Sequence, residues 1–143
     1  MKQSVSSILI STDNEFILQQ RDDNPRIFHS GMITNFGGGV EEGERPIDAI
    51  IREIQEELNI KLSKEDFRPL SSSARKSPFG NKEYIDQLFF AFNIKKQDLL
   101  LKEGKAIVYL KLSESLDSLN LSTETKKDLI LFKKMNIRDP LAL

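Results

Sequence analysis

The chain has 143 residues, 38% hydrophobic and 30% charged, with a formal net charge of −1; this is the composition of an ordinary globular domain, with no excess charge for bulk binding to a nucleic-acid backbone. It has no cysteine and a single histidine, His29, which excludes disulfides, thiol nucleophiles, cysteine metal centres and multi-histidine zinc sites. A Ser-His-Asp triad would have to run through that one residue, so carboxylates are the main catalytic groups left.

No repeat or low-complexity tract divides the sequence, and a single domain over residues 1–143 is expected. The first apolar run is too short for a secretory leader or a membrane span, so a cytoplasmic location with no membrane partner is the simple expectation. Residues 4–11 and 15–20 are apolar-rich runs separated by Thr12-Asp13-Asn14, a turn cluster, and they predict a β-hairpin. Residues 21–30 are polar and include Pro25, which reads as a loop. Residues 32–36 predict a short strand that ends at Gly37-Gly38-Gly39, a run expected to break regular structure and to let backbone approach a ligand closely.

A helix is predicted next, with Pro46 in its first turn and Asn59 able to close it in the left-handed conformation. Between them Ile47, Ile51, Ile54 and Leu58 recur at helical spacing and are expected to form the apolar stripe. Residues 67–77 are ambiguous. Residues 83–94 and 105–112 are rich in aromatic and β-branched side chains and predict strands. Residues 123–135 predict a second helix capped by Ser122. Strands mixed with two helices imply an α/β or α+β sandwich.

On the first predicted helix Glu53, Glu56 and Glu57 stand at i, i+3 and i+4, within an arc of roughly 100°. Three carboxylates on one face repel unless something positive neutralises them. An all-oxygen cluster suits Mg²⁺ or Mn²⁺, which bind through a few carboxylates, water and substrate phosphates. An ordinary solvated acidic face, with Arg52 and Glu56 as a simple i, i+4 pair, is the plainer reading of the helix alone.

The segment before the helix changes that balance. Gly38, Glu44, Arg52, Glu53, Ile54, Glu56, Glu57 and Ile60, read in GGVEEGERPIDAIIREIQEELNI, resemble the Nudix box at eight of its nine specified positions. At average residue frequencies such a match arises by chance at below about one in ten thousand. The departure is Asn59, where the family has glycine; asparagine is the next-best residue for a left-handed position. Phe36 stands where many members have proline. The resemblance implies an α/β/α sandwich with a mixed sheet between helices.

It also implies a divalent-metal-dependent hydrolase that cleaves the pyrophosphate linkage of a nucleoside triphosphate or another nucleoside diphosphate derivative, by water attack on phosphorus. Glu56 and Glu57 would be metal ligands, Glu53 a ligand or the base that orients the water, and the Gly38 carbonyl a further contact. Glu44 and Arg52 would be structural. A later-loop carboxylate completes the set in MutT-like members: Glu103 matches that position, and Glu83 competes with it. Arg21 resembles the arginine that relatives aim at phosphate, and its planar fork suits that task. Phe36 is a candidate for the base-stacking surface, beside Tyr84, Phe89, Phe90 and Phe92, although aromatics in strands more often fill a core. A homodimer is compatible with the family. The alternative is a Nudix-like domain that senses nucleotides without cutting them, and its expected mark, loss of box carboxylates, is missing here.

Overall fold

The alternating segments form seven strands of one mixed sheet in the computed structural model, which describes residues 2–77, 79–80 and 82–139. They are β1 (Lys2–Ser11), β2 (Glu15–Gln20), β3 (Ile33–Thr34), β4 (Phe36–Gly39), β5 (Arg68–Lys76), β6 (Glu83–Ile94) and β7 (Ala106–Lys111). Two α-helices, α1 (Pro46–Leu58) and α2 (Thr123–Lys134), and two short 3₁₀ turns, Lys96–Asp98 and Leu116–Ser118, complete the regular structure of the described residues. No helix among the described residues is long and apolar enough to cross a membrane.

β1 is the organising strand. Its far end pairs antiparallel with β2 through Leu9 and Ile10, its near end pairs antiparallel with β4 from Ser4 to Ser7, and its other edge runs parallel to β6. β5 lies beyond β6, whereas β3 and β7 pair with β2. Side chains of a strand alternate between faces, which builds two cores from one sheet. Val5, Leu9, Ile17, Phe89 and Ala91 meet Ile50, Ile54 and Leu58 of α1. Ile8, Ile10, Phe16, Leu18, Leu88 and Phe90 meet Leu129 and Phe132 of α2. The expected α/β/α sandwich is therefore present.

Local chemistry sets the element ends. In the β1–β2 turn Asn14 has φ 57°, and the Ser11 hydroxyl accepts the N–H groups of Asp13 and Glu15 at 3.2 Å each. Pro46 opens α1, and Asn59 closes it at φ 58°, ψ 30°, donating its N–H to the Gln55 carbonyl. Ser122 caps α2 by accepting the Thr125 N–H at 3.2 Å.

Two expectations are revised and one open stretch is resolved. The glycine run continues as strand β4, held by β1, and the break falls instead at Asn35, between β3 and β4. The ambiguous stretch at 67–77 is strand β5, polar because it forms an edge with one neighbour. The stripe of Ile47, Ile51, Ile54 and Leu58 is buried only in part: Ile54 and Leu58 lie in the core with Ala49, Ile50 and Glu57, and Ile47 and Ile51 pack at its margin. Glu57 and Ile50, seven residues apart, lie within roughly 20° of each other around the helix, so packing Ile50 against the sheet carries Glu57 inward too.

The left-handed closure at Asn59 gives a direct test. Asn59→Gly is expected to keep unfolding stability within about 1 kcal/mol of the native chain. Asn59→Val, which places a β-branched side chain at the same φ, is expected to lose about 1–2 kcal/mol in urea unfolding.

Candidate active site

The site is built where strand β4 lies against α1, and the glycines make that approach possible. A Cβ on Gly38 would stand 2.4 Å from Glu53 Cδ and 2.5 Å from both its carboxylate oxygens. A Cβ on Gly37 would stand 2.1 Å from the Val5 carbonyl oxygen. Neither contact is tolerable for a real side chain: Gly38 lets the Glu53 carboxylate rest on bare backbone, and Gly37 lets β4 lie close against β1. On the next turn of the helix, Glu57 Oε1 accepts the Gly37 N–H at 3.1 Å.

Arg52 holds the outer part of the box. Its Nε and Nη2 donate to the two oxygens of Glu44 at 2.8 and 2.9 Å, and Nη2 also donates to the Gly39 carbonyl at 2.9 Å. Nη1 donates to Glu53 at 3.0 Å and to Glu56 at 3.3 Å. The bidentate pair holds the Glu44 carboxyl down to about 2 and raises the Arg52 guanidinium further above its ordinary value. One guanidinium thus ties the loop before α1, the glycine strand and two helix carboxylates together.

Glu57 is in a different position. It is 1% exposed, and burial, then the charges of Glu53 and Glu103, push its carboxyl up to about 9, against the Gly37 N–H and Arg21. Burial likewise raises Glu53, opposed by Arg52. Glu103 acts electrostatically on both Glu53 and Glu57. Its loop is pinned by Gln19, which donates to the Glu103 carbonyl at 3.0 Å, and by the Lys102 N–H, which donates to the Glu57 carbonyl at 2.8 Å. Glu83 is exposed at the start of β6, paired across to Lys76 of β5, and is not among the charges acting on Glu53 or Glu57. Glu103 thus acts on Glu53 and Glu57, exposed Glu56 acts on Glu53, and Glu83 stands apart.

Among the described residues no group of three or more such side chains is already arranged to hold a metal ion; Arg52 takes up Glu53 and Glu56. The donor chemistry nonetheless fits a hard divalent cation. The oxygens are all carboxylate or backbone, the backbone at Gly38 leaves no side chain in the way, and buried Glu57 is ionised at neutral pH only if positive charge is supplied beside it.

On the opposite side of β4 opens a cleft of about 1350 Å³, lined by Gly37, Gly38, Gly39 and Arg21 and reaching to Tyr84 and Asp86 on β6. The carboxylates of α1 do not line it; the glycine strand is the partition between the two. Arg21 also borders a smaller recess of about 430 Å³ with Lys102 and Glu103, and its Nε donates to the Phe28 carbonyl at 3.2 Å. This places Arg21 between acidic cluster and cleft. Phe36 is not available for stacking: it is fully buried in the core beneath α1. Phe89 and Phe90 are buried as well and Phe92 packs on the second core, leaving Tyr84 in the cleft.

The cleft also contains residues the sequence reading missed. Phe28 and Phe79, from two separate loops, meet over it with ring centroids 5.1 Å apart. Asp86, Arg75 and Asn35 line it as well. The available signals were an aromatic in each of two polar loops, and an aspartate at an inward-facing position of the apolar strand EYIDQLFFAF.

Comparison with known proteins agrees with this geometry. A family model for the NUDIX domain matches residues 1–129. Nucleoside triphosphatase NudI of Escherichia fergusonii is 32% identical over 130 residues, which are 86% of this chain and 91% of that protein. In fold, the MutT protein of Methanosarcina mazei Go1 superposes with a TM-score of 0.78 at 20% identity, over 96% of each chain. The dihydroneopterin triphosphate pyrophosphohydrolase of E. coli does so with a TM-score of 0.73 at 19% identity, over 94% of this chain and 96% of that one. The chain is a MutT-like member of the Nudix hydrolase family.

Proposed function

We propose that this pyrophosphohydrolase depends on a divalent metal and acts on a nucleoside triphosphate or another nucleoside diphosphate derivative, by attack of water on a phosphorus of the P–O–P linkage. The observation that carries the reading is the bare backbone of Gly37 and Gly38 lying against Glu53 and buried Glu57. The similarity to a nucleoside triphosphatase supports the substrate class.

Glu53, Glu56, Glu57, Glu103 and the Gly38 carbonyl would hold Mg²⁺ or Mn²⁺. When bound, such an ion offsets charge on the phosphate oxygens and lowers the pKa of a coordinated water. The chain's own residues do the rest. Glu53, whose carboxyl is raised by burial, is suited to orient the attacking water and to take its proton, since a base works best with a pKa moved towards the working pH. Arg21, which lines both recesses, would hold a phosphate oxygen. Arg52 keeps Glu44, Gly39 and α1 in register, so that the ligand oxygens stay on one side of the glycine strand. The box carboxylates that a sensing domain would be expected to lose are all retained.

Chelation of divalent ions is expected to abolish release of phosphate or mononucleotide from a nucleotide panel, and Mg²⁺ or Mn²⁺ to restore it. Glu57→Gln should lower kcat by more than the about 10–100-fold typical of groups that only orient metal ligands. It should also remove the rise in melting temperature that Mg²⁺ gives the native chain. Full turnover in Glu57→Gln would place the metal elsewhere. Nucleotide binding with no hydrolysis under any divalent ion would favour a sensor. Gly38→Ala, which drives a methyl group into the Glu53 carboxylate, is expected to cost about 100-fold in kcat/KM with the circular dichroism spectrum unchanged.

A further inference from the structure

Buried polar groups in folded proteins nearly always have hydrogen-bond partners, so those without one point to where a ligand supplies them. Among the described residues such side-chain atoms are Glu15 Oε1, both amide atoms of Asn35, and Asp86 Oδ2. Glu15 is ion-paired to Lys96. The other two residues both line the cleft behind the glycine strand. An amide both donates and accepts and so tolerates many ligand edges, whereas an ionised carboxylate only accepts. Asp86 is therefore the group able to discriminate.

Its setting is built. Asp86 is 2% exposed. Its Oδ1 accepts the hydroxyls of Ser4 and Ser6 at 2.6 and 2.9 Å. Arg75 lies 3.5 Å from Oδ2 but spends the same Nη2 on Asp128, at 2.7 and 3.0 Å. Burial raises the Asp86 carboxyl above its ordinary range and the Arg75 charge opposes that shift, while Oδ2 is left without a hydrogen bond. Ser4 pairs with Gly39 on one side and with Asp86 on the other, which puts Asp86 two strands, about 10 Å, from the glycine strand. A ribose and its first phosphate fill a gap of that order between a base and a polyphosphate bound at the glycines. Phe28 and Tyr84 give the cleft aromatic surface for a planar ring.

We propose that Asp86 is the specificity-determining residue of this hydrolase: its Oδ2 accepts an N–H of the substrate's exocyclic amino group, selecting nucleotides with an amino-bearing base over those with an oxo group or hydrogen in its place. This rests on the nucleotide-hydrolase reading above. A carboxylate beside a carbonyl oxygen gains no hydrogen bond and repels it, and a site built around an N–H rejects the analogue that lacks it.

The test compares kcat/KM for pairs that differ at the amino group, CTP against UTP and GTP against ITP, in the native chain and in Asp86→Asn. The native chain is expected to favour the amino-bearing member of at least one pair by about 10- to 100-fold. In Asp86→Asn the Ser4 and Ser6 hydroxyls hold the amide oxygen at the Oδ1 position, so Nδ2 replaces Oδ2 as a donor. The preference should then collapse, or invert towards UTP. No amino preference in the native chain overturns the assignment, a result that does not depend on how the variant folds. An unchanged preference in a folded Asp86→Asn overturns it too. Calorimetric binding of non-hydrolysable CTP and UTP analogues separates the two readings: absent turnover with amino-selective binding sinks the hydrolase and keeps Asp86 as reader, and turnover with indifferent binding does the reverse.

Discussion

The close approach of a side-chain-free strand to an acidic helix is the contact on which the rest of this structure depends. At Gly38 the backbone touches the Glu53 carboxylate at a distance no Cβ would permit, and one residue earlier the Gly37 N–H is donated to Glu57. The sheet supplies the position: β1 clamps β4 along Ser4–Ser7, and the core of Val5, Ile50, Ile54 and Leu58 presses α1 down onto it. Hydrophobic burial thus provides the force that brings carboxylates to backbone, against their own tendency to remain in water.

That arrangement has an electrostatic cost, and the chain meets it unequally. Arg52 neutralises the outer carboxylates Glu44, Glu53 and Glu56 within one planar fork, at a partly exposed position where such a pair costs little to desolvate. Glu57 lies too deep for Arg52 and feels Glu53 and Glu103 as well as burial, so its carboxyl rises to about 9. The difference sorts the box into a part that is complete within the protein and a part that is complete only with added positive charge. The first fixes shape, and the second leaves a buried carboxyl whose charge the protein alone does not offset.

What could be read in the sequence was local. The hairpin, α1 with its Asn59 closure and α2 with its Ser122 cap each depend on chemistry within a few residues, and the structure has them where the pattern placed them. Strand β5 was hidden because RPLSSSARK has neither apolar alternation nor an apolar run. The stripe of α1 is right at Ile54 and Leu58 and off-centre at Ile47 and Ile51, because periodicity alone does not say which neighbour the helix meets. Ile47 and Ile51 fit a 3.6-residue repeat as well as Ile50 does, and only the glycine strand decides that the Glu57 side turns inward. Phe36 had the right address and the wrong direction, since side chains alternate along β4 and its ring falls on the α1 side.

The same distinction separates the two halves of the site. The acidic half is nearly contiguous in the chain, because a glycine strand, a loop and one helix present all its carboxylates but Glu103, and it leaves a spaced motif. The cleft half draws Ser4 and Ser6 from β1, Arg75 from β5, Asp86 from β6 and Phe28 from a loop, and it has no spacing to read. Both halves share one boundary, the two-faced strand β4, with Glu53 on one side and the cleft on the other. Because glycine leaves both faces bare, substituents on the cleft side can change from one chain to another without disturbing the carboxylates behind it. A sequence motif built on that strand can therefore announce the bond that is broken and stay silent about the group that carries it.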